Sequence, residues 1–309
     1  MVVLGFDTSN YTTSVAQFDG QQGENHSRLL EVRKGELGLR QSDALFQHVK
    51  QLPTLAAGFS GEKPVAVGAS TRPRAVEGSY MPCFLAGSSQ AQVLSQVEGI
   101  PFYAFSHQQG HIAAAAWSAG RLDLLSKPFL AWHLSGGTTE LLLVTPNADG
   151  VTVDEQILGG TQDISAGQLI DRTGVLLGCA FPAGKAIDAL SQQATQKSKF
   201  KVKLHELTFS LSGMENKVKE MAARGEAPEN MAWFVLDTIS DVVLRATQEA
   251  LSRYPNLEIL CSGGVASNSH LRGEFAKLGA VFAKPEFSTD NAMGIAILTH
   301  RAAQKDGIL

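Results

Sequence analysis

The chain is poor in cysteine: Cys83, Cys179 and Cys261 stand far apart in 309 residues. Such spacing builds no zinc knuckle, no redox pair and no disulfide framework, and it suits a reducing compartment. Charge of one sign is equally scarce. The 26 Lys and Arg against 30 Asp and Glu leave a net charge of −4, so no global basic field marks a nucleic-acid or membrane-surface protein. Any RNA contact has to come from a local patch or a partner. No apolar run is long enough to span a bilayer. The opening MVVLGFDTSN lacks a basic start and a cleavage site, and reads as a first strand instead of a signal peptide. The expectation is a cytoplasmic protein with no membrane partner.

Against those gaps stands a core-forming composition, 44% apolar and 18% charged. A buried strand (VVLGFD), a hydroxyl-rich turn (TSNYTT) and a return strand (SVAQFD) open the chain. The design recurs as PFLAWHL, SGGTT and ELLLVT, which suggests two similar halves. Helical periodicity follows in LRQSDALFQHVKQLPTLAAGF, SSQAQVLSQVEGIP, SAGQLIDRTGVLLG, GKAIDALSQQATQ, MENKVKEMAA, the long NMAWFVLDTISDVVLRATQEALSRYP, VASNSHLRGEFAKLG and NAMGIAILTHRAAQ. PVAVGAST and LEILCSGG are further buried strands. Alternation of strands with covering helices means an α/β architecture with partly parallel sheets. The division is expected at 1–125 and 126–309, with the C-terminal helix in the second half and a ligand cleft between the halves.

Two features carry chemistry. Glycine turns recur at 134–140 (LSGGTTE), 158–163 (LGGTQD), 181–188 (FPAGKAID) and 261–268 (CSGGVASN). None has the ending of a P-loop or the G-x-G-x-x-G pattern. Small residues at a strand's end let backbone N–H groups approach an anion, so together the turns point to a nucleotide or another phosphate-bearing ligand. The second feature is AFSHQQGHIAAAAW, residues 104–117, read as helical throughout. His107 and His111 fall four apart, on one helix face, where both can reach a single ion. The zinc-peptidase pattern H-E-x-x-H needs a glutamate after the first histidine. Gln108 stands there and cannot act as a base, which argues against a peptidase. His133, inside an apolar strand, and Asp290, before the C-terminal helix, are further metal-capable residues, although Asp290 would also serve as a helix cap. QKSKFKVKLHE places Lys197, Lys199, Lys201 and Lys203 in alternation, so on a strand they would share one face as an RNA patch or as a protected edge. Arg72 and Arg74 form a second candidate patch.

In sequence order, GFDTS, LRQSDALFQHVKQLP, SHQQGH, HLSGGTTE, GQLIDRTGVLLG, FPAGKAIDAL, FSLSGMENKV, SGGVASNSHLR and STDNAMGIA resemble the tRNA threonylcarbamoyladenosine transferase family, the TsaD-like or glycoprotease family. That resemblance implies the fold of the actin, sugar-kinase and heat-shock-chaperone ATPases, with two similar α/β halves around a central nucleotide cleft. It implies one divalent metal ion, iron or zinc, on His107, His111 and Asp290. His133 occupies the position where archaeal and eukaryotic members place a tyrosine, which makes it a candidate fourth ligand, since imidazole suits either metal. Ligand-contacting positions carry over to His133, Leu134, Ser135, Gly136 and Gly137, and to Asp171, Gly184, Asp188 and Asn268. The implied activity is acyl transfer. A threonylcarbamoyl group passes from its adenylate to the adenosine next to the tRNA anticodon, with accessory protein subunits as partners.

Departures from the family cluster on the cleft and the first half. Residues 70–82, STRPRAVEGSYMP, replace a Gly-Pro-Gly-Leu segment. Gln109 stands where a glutamate is common between the metal histidines, Thr138 replaces a histidine, and NYT replaces an acidic pair after the first strand. These mark a divergent bacterial paralogue. They keep two alternatives open: a related carbamoyl or acyl transferase with a non-tRNA acceptor, and a non-catalytic nucleotide-binding scaffold.

Overall fold

A computed structural model describes residues 1–9, 11–32, 39–59 and 61–309; Asn10 of the NYT segment lies outside them. Two compact units form, one from Met1–Lys127, Thr145–Asp154 and Glu286–Leu309, the other from Pro128–Val144 and Glu155–Pro285.

In the first unit, β1 (Val2–Asp7), β2 (Thr12–Phe18) and β3 (Gly23–Leu29) run as an antiparallel meander. Helix α1 (Gln41–Ala56) leads to β4 (Pro64–Arg72), which lies parallel to β1. Helix α2 (Phe84–Glu98) closes on Gly99 at φ 66° and leads to β5 (Phe102–Ser106), parallel to β4. The sheet order is β3-β2-β1-β4-β5. The positive φ at Gly99 is the usual left-handed helix stop. Phe6, Val15, Leu52, Val67 and Ala91 fill the core between sheet and helices. Helix α3 (His107–Ser118) starts directly after β5.

The second unit repeats that order. β6 (Phe129–Leu134) and β7 (Thr139–Pro146) make an antiparallel hairpin, followed by β8 (Val153–Thr161). Helices α4 (Ala166–Leu176) and α5 (Gly184–Ser191) precede the short β9 (Thr208–Phe209). Helices α6 (Ser212–Ala223) and α7 (Pro228–Arg253) lead to β10 (Glu258–Ser262), parallel to β6. Helix α8 (Ser269–Ala276) and β11 (Val281–Phe282) complete the unit. Its sheet, β11-β10-β6-β7-β8-β9, is the first unit's order with one added edge strand. β6 is apolar nearly throughout because both its faces are covered. Trp132, fully buried, donates its indole N–H to Thr247 Oγ1 of α7 at 2.8 Å.

The C-terminal helix, α9 (Met293–Lys305), packs on α3, β1, β2 and β4. Grouping it with the second half by sequence position therefore differs from the contacts observed. Its buried stripe, Ile295 to Leu298 with Ala302 and Ala303, finds its complement in the first unit. Two other expectations are corrected. Lys197 to Lys203 form no strand. The segment's backbone is held by α7 side chains instead, Phe200 N donating to Thr238 Oγ1 and Arg245 donating to the Val202 carbonyl. Gly159 and Gly160 of LGGTQD lie inside β8 and not in a turn, with Gly160 N donating to the Leu207 carbonyl.

Candidate metal centre and glycine-turn site

The helix expected across 104–117 begins only at His107, because Ser106 caps it. Ser106 Oγ accepts the Gln109 N–H, and Gln109 Oε1 accepts the Ser106 N–H, a reciprocal capping box. The Gln109 amide has a second task. Its Nε2 donates to the Val153 carbonyl at 2.9 Å, so both ends of this buried side chain are engaged.

This cap sets His107 and His111 on one face of α3. Gly294 of α9 lies against the Gly110 carbonyl of α3 with no room for a Cβ, and a Cβ on Gly110 would meet the end of the Ile295 side chain. That close approach brings Asp290, just before α9, to the histidines. His107 Nε2 and His111 Nε2 are 2.9 Å apart, and Asp290 Oδ1 lies 3.5 Å from the first and 3.2 Å from the second. The three donor atoms form one cluster within 4.8 Å.

Behind the cluster stands Asp7, at the end of β1. Its Oδ2 accepts from His107 Nδ1 at 2.7 Å and its Oδ1 accepts the Ser9 N–H. A hydrogen on Nδ1 leaves Nε2 as the donor atom facing the cluster. Burial works against an imidazolium, but the Asp7 and Asp290 carboxylates raise His107 to about 10. Burial likewise opposes an ionised Asp290, yet hydrogen bonds from His107 and His111 hold its carboxyl well below the usual range. Asp7 is lowered by His107 and Ser9 against its complete burial.

The donor set fits a divalent ion. The two imidazole nitrogens, 2.9 Å apart, and a carboxylate oxygen within 3.5 Å of both would reach a single ion. Two imidazole nitrogens and a carboxylate oxygen suit iron or zinc. The neighbouring Asp7 adds a second carboxylate to that of Asp290, which favours a cation. Asp7 was not singled out in the sequence reading. An acidic residue ending the first buried strand, in GFD, is the signal that could have marked it.

His133 belongs to the other unit. It lies on β6 opposite Glu140 of β7 and beside Ser262 of β10, and the three-residue cluster does not include it. The remaining ligand positions fall in this second unit as well. Ser135 to Thr138 close the β6–β7 hairpin through Ser135 N donating to the Thr138 carbonyl, while Ser135 Oγ accepts the Thr138 N–H. The start of α4 docks there, with Ser165 Oγ donating to the Gly136 carbonyl and Ala166 N to Thr139 Oγ1. Leu134 ends β6 beside Gly263, whose φ of 95° and contact with the Leu134 backbone exclude any side chain. Asn268 caps α8 by accepting the Leu271 N–H, and Asp188 accepts both the N–H and the hydroxyl of Ser269. Asp171 accepts the Ala183 N–H, next to Gly184. The expected residues are thus linked in one chain of contacts. Gly136, Gly137 and Gly184 face open space where a Cβ would stand.

The structure also brings Ser191 Oγ within 3.0 Å of His270 Nε2, with Asp237 Oδ1 3.8 Å from Nδ1. Ser191 is completely buried and donates its hydroxyl to the Asp188 carbonyl. The group holds helices together and offers no nucleophile.

Two sheets of one strand order, each flanked by helices, form the fold also found in the actin-like ATPases and sugar kinases. The chain superposes on the ROK hexokinase of Thermus thermophilus with a TM-score of 0.51 at 13% identity, over 98% of this chain and 99% of that one. It superposes on component A of the (R)-2-hydroxyglutaryl-CoA dehydratase of Acidaminococcus fermentans with a TM-score of 0.58 at 15% identity, over 98% and 99% of the two chains. Identities this low speak for the fold alone. Within that class, residues 78–297 match the family described as TsaD, tRNA N6-adenosine threonylcarbamoyltransferase, and the chain belongs to this family of acyltransferases. It is 29% identical to the tRNA N6-adenosine threonylcarbamoyltransferase of Streptococcus pneumoniae (strain ATCC 700669 / Spain 23F-1), over 89% of this chain and 83% of that one.

Proposed function

We propose that the chain transfers a threonylcarbamoyl group from its adenylate to the N6 amine of the adenosine next to the tRNA anticodon. One divalent ion, iron or zinc, is held by His107, His111 and Asp290. Within the family assignment, the observation that carries this reading is the convergence of two imidazole nitrogens and a carboxylate oxygen within 4.8 Å. In the reaction, N6 forms a bond to the carbamoyl carbon as the carbon–oxygen bond to phosphate breaks. AMP leaves with the electron pair and the amine sheds one proton. When bound, the ion supplies a Lewis acid for the carbonyl.

The chain's own residues hold and orient. Asp7 fixes the His107 ring and its hydrogen on Nδ1. The open sides of Gly136, Gly137 and Gly184 admit the adenylate close to the backbone, with Leu134, Asp171, Asp188 and Asn268 building the walls. His133 is proposed as a further ligand, and His133→Ala holding metal as tightly as the parent would remove it from the set. Exposed Leu85, Val93 and Val97 on α2 give accessory subunits an apolar surface. No helix among the described residues is long and apolar enough to cross a membrane, and the lone cysteines suit the cytoplasm as the compartment.

The test is transfer of label from threonylcarbamoyl adenylate to an unmodified tRNA transcript by the metal-loaded chain, read as labelled nucleoside after digestion. Label on adenosine with the parent, and none with the His107→Ala, His111→Ala double variant, is the expected outcome. Hydrolysed donor without labelled RNA would overturn the reading. A small amine as acceptor is the second reading. It is favoured by the altered 70–82 segment, whose Pro73 carbonyl accepts the Gln108 N–H at the start of the metal-bearing helix. Label on amines in place of tRNA would establish it.

A further inference from the structure

The second unit holds a cavity of about 260 Å³ that the proposed reaction does not use. Phe200, Lys203, His205, Gln162, Gly213 and Met214 are among its lining residues. Its character is mixed: an aromatic ring and a thioether beside a cation, an imidazole and an amide.

Phe200 is an unusual resident, since its ring remains 39% exposed. Lys217 Nζ stands 4.6 Å from the ring centroid. The backbone on either side is anchored, Phe200 N on Thr238 and the Val202 carbonyl on Arg245, so the ring is presented from a held segment. Lys201 and Lys203 are exposed and form no ion pair among the described residues, unlike Lys199, which Asp241 binds at 3.0 Å. The nearby Asp163 carboxylate is already spent on the Leu211 and Ser212 N–H groups. The balance at the cavity is cationic and aromatic.

We infer that this cavity takes one nucleotide of a single-stranded RNA segment, its base against Phe200 and its phosphate on Lys203, with Lys201 and Lys217 alongside. Ring faces accept any base, and lysines beside them neutralise the backbone. Gln162 and Ser210 offer hydrogen bonds to base edges. The inference rests on the tRNA-acceptor reading and assigns part of the acceptor's contact surface.

Fluorescence anisotropy with an unmodified tRNA transcript and with an A-rich single-stranded 12-mer tests it, on the full metal-loaded chain. Phe200→Ala should weaken binding of both about tenfold. Phe200→Leu should weaken it as much, because it keeps apolar bulk but no ring face. Lys203→Glu should weaken binding several-fold and flatten the salt dependence by about 0.7 in log–log slope, one phosphate's worth. Binding within twofold of the parent for all three variants overturns the inference, and so does loss with Lys203→Glu alone while Phe200→Leu binds normally, which would mark a phosphate contact with no base in the cavity. Unchanged binding with intact label transfer sinks the cavity and leaves the acceptor reading standing. Weakened binding with no transfer by the parent does the reverse, and a parent that binds no RNA overturns both.

Discussion

The two units share a strand order and divide the chemistry. In the first, the ends of β1 and β5 carry side chains that can hold a cation: Asp7, then His107 and His111, completed by Asp290. In the second, the end of β6, the counterpart of β1, and that of β10, the counterpart of β4, carry backbone, the Ser135–Thr138 turn and the Gly263–Gly264 pair. Acidic and amide side chains of that unit, Asp171, Asp188 and Asn268, accept main-chain N–H groups and shape loops. One topology thus presents side-chain donors in one copy and main-chain groups in the other. Chemistry is set by what the strand ends carry, not by the fold.

The sharpest break of that contrast is removal of the side-chain donors. His107→Ala with His111→Ala should abolish bound metal, as measured by elemental analysis of the purified chain, while nucleotide binding in the second unit persists. Next in size is a lesion among the main-chain groups. Gly263→Ala forces a Cβ into the Leu134 backbone at φ 95° and should cost about 3 kcal/mol by urea unfolding. Gly136→Ala, with open space there, should cost less than about 1 kcal/mol. Asp7→Asn sharpens the comparison further. It keeps a partner for His107 but not the charge, and a 10- to 100-fold loss of metal affinity is expected by competition titration.

The smallest effect concerns a charge in the second unit that only holds structure. Burial would raise the Asp241 carboxyl, but Lys199 and Arg245 lower it below 3.8. A lowered carboxyl stabilises the fold above its unfolded value and loses that contribution as pH falls through the folded one. Asp241→Asn should therefore cost about 1 kcal/mol at pH 7, with the gap to the parent closing below pH 4 in urea titrations.

Much of this was legible in the sequence. The paired hairpins announced the repeated sheet, and the four-residue spacing of His107 and His111 announced the cluster. What escaped did so for stated reasons. GENHSRL of β3 has no apolar alternation, and it is a strand because β2 offers it a full register of partners. β5 was absorbed into a helical reading because nothing in AFSHQQGH except the Ser106 cap marks where strand becomes helix. The lysine segment alternates like a strand, yet α7 holds its backbone. α9 carries no sequence mark of the unit it joins. Asp290 reaches the histidines only through the glycine contact of α3 and α9.

Gln109 closes the comparison with the family. A glutamate at this position could accept the Ser106 N–H as well as Gln109 does. It could not donate to the Val153 carbonyl, which the Gln109 amide reaches. Gln109→Glu would strip a hydrogen bond from a buried carbonyl and place an unpaired charge beside it. Position 109 is thereby tied to the 145–154 hairpin tip, and a carboxylate there needs a change at that tip to go with it.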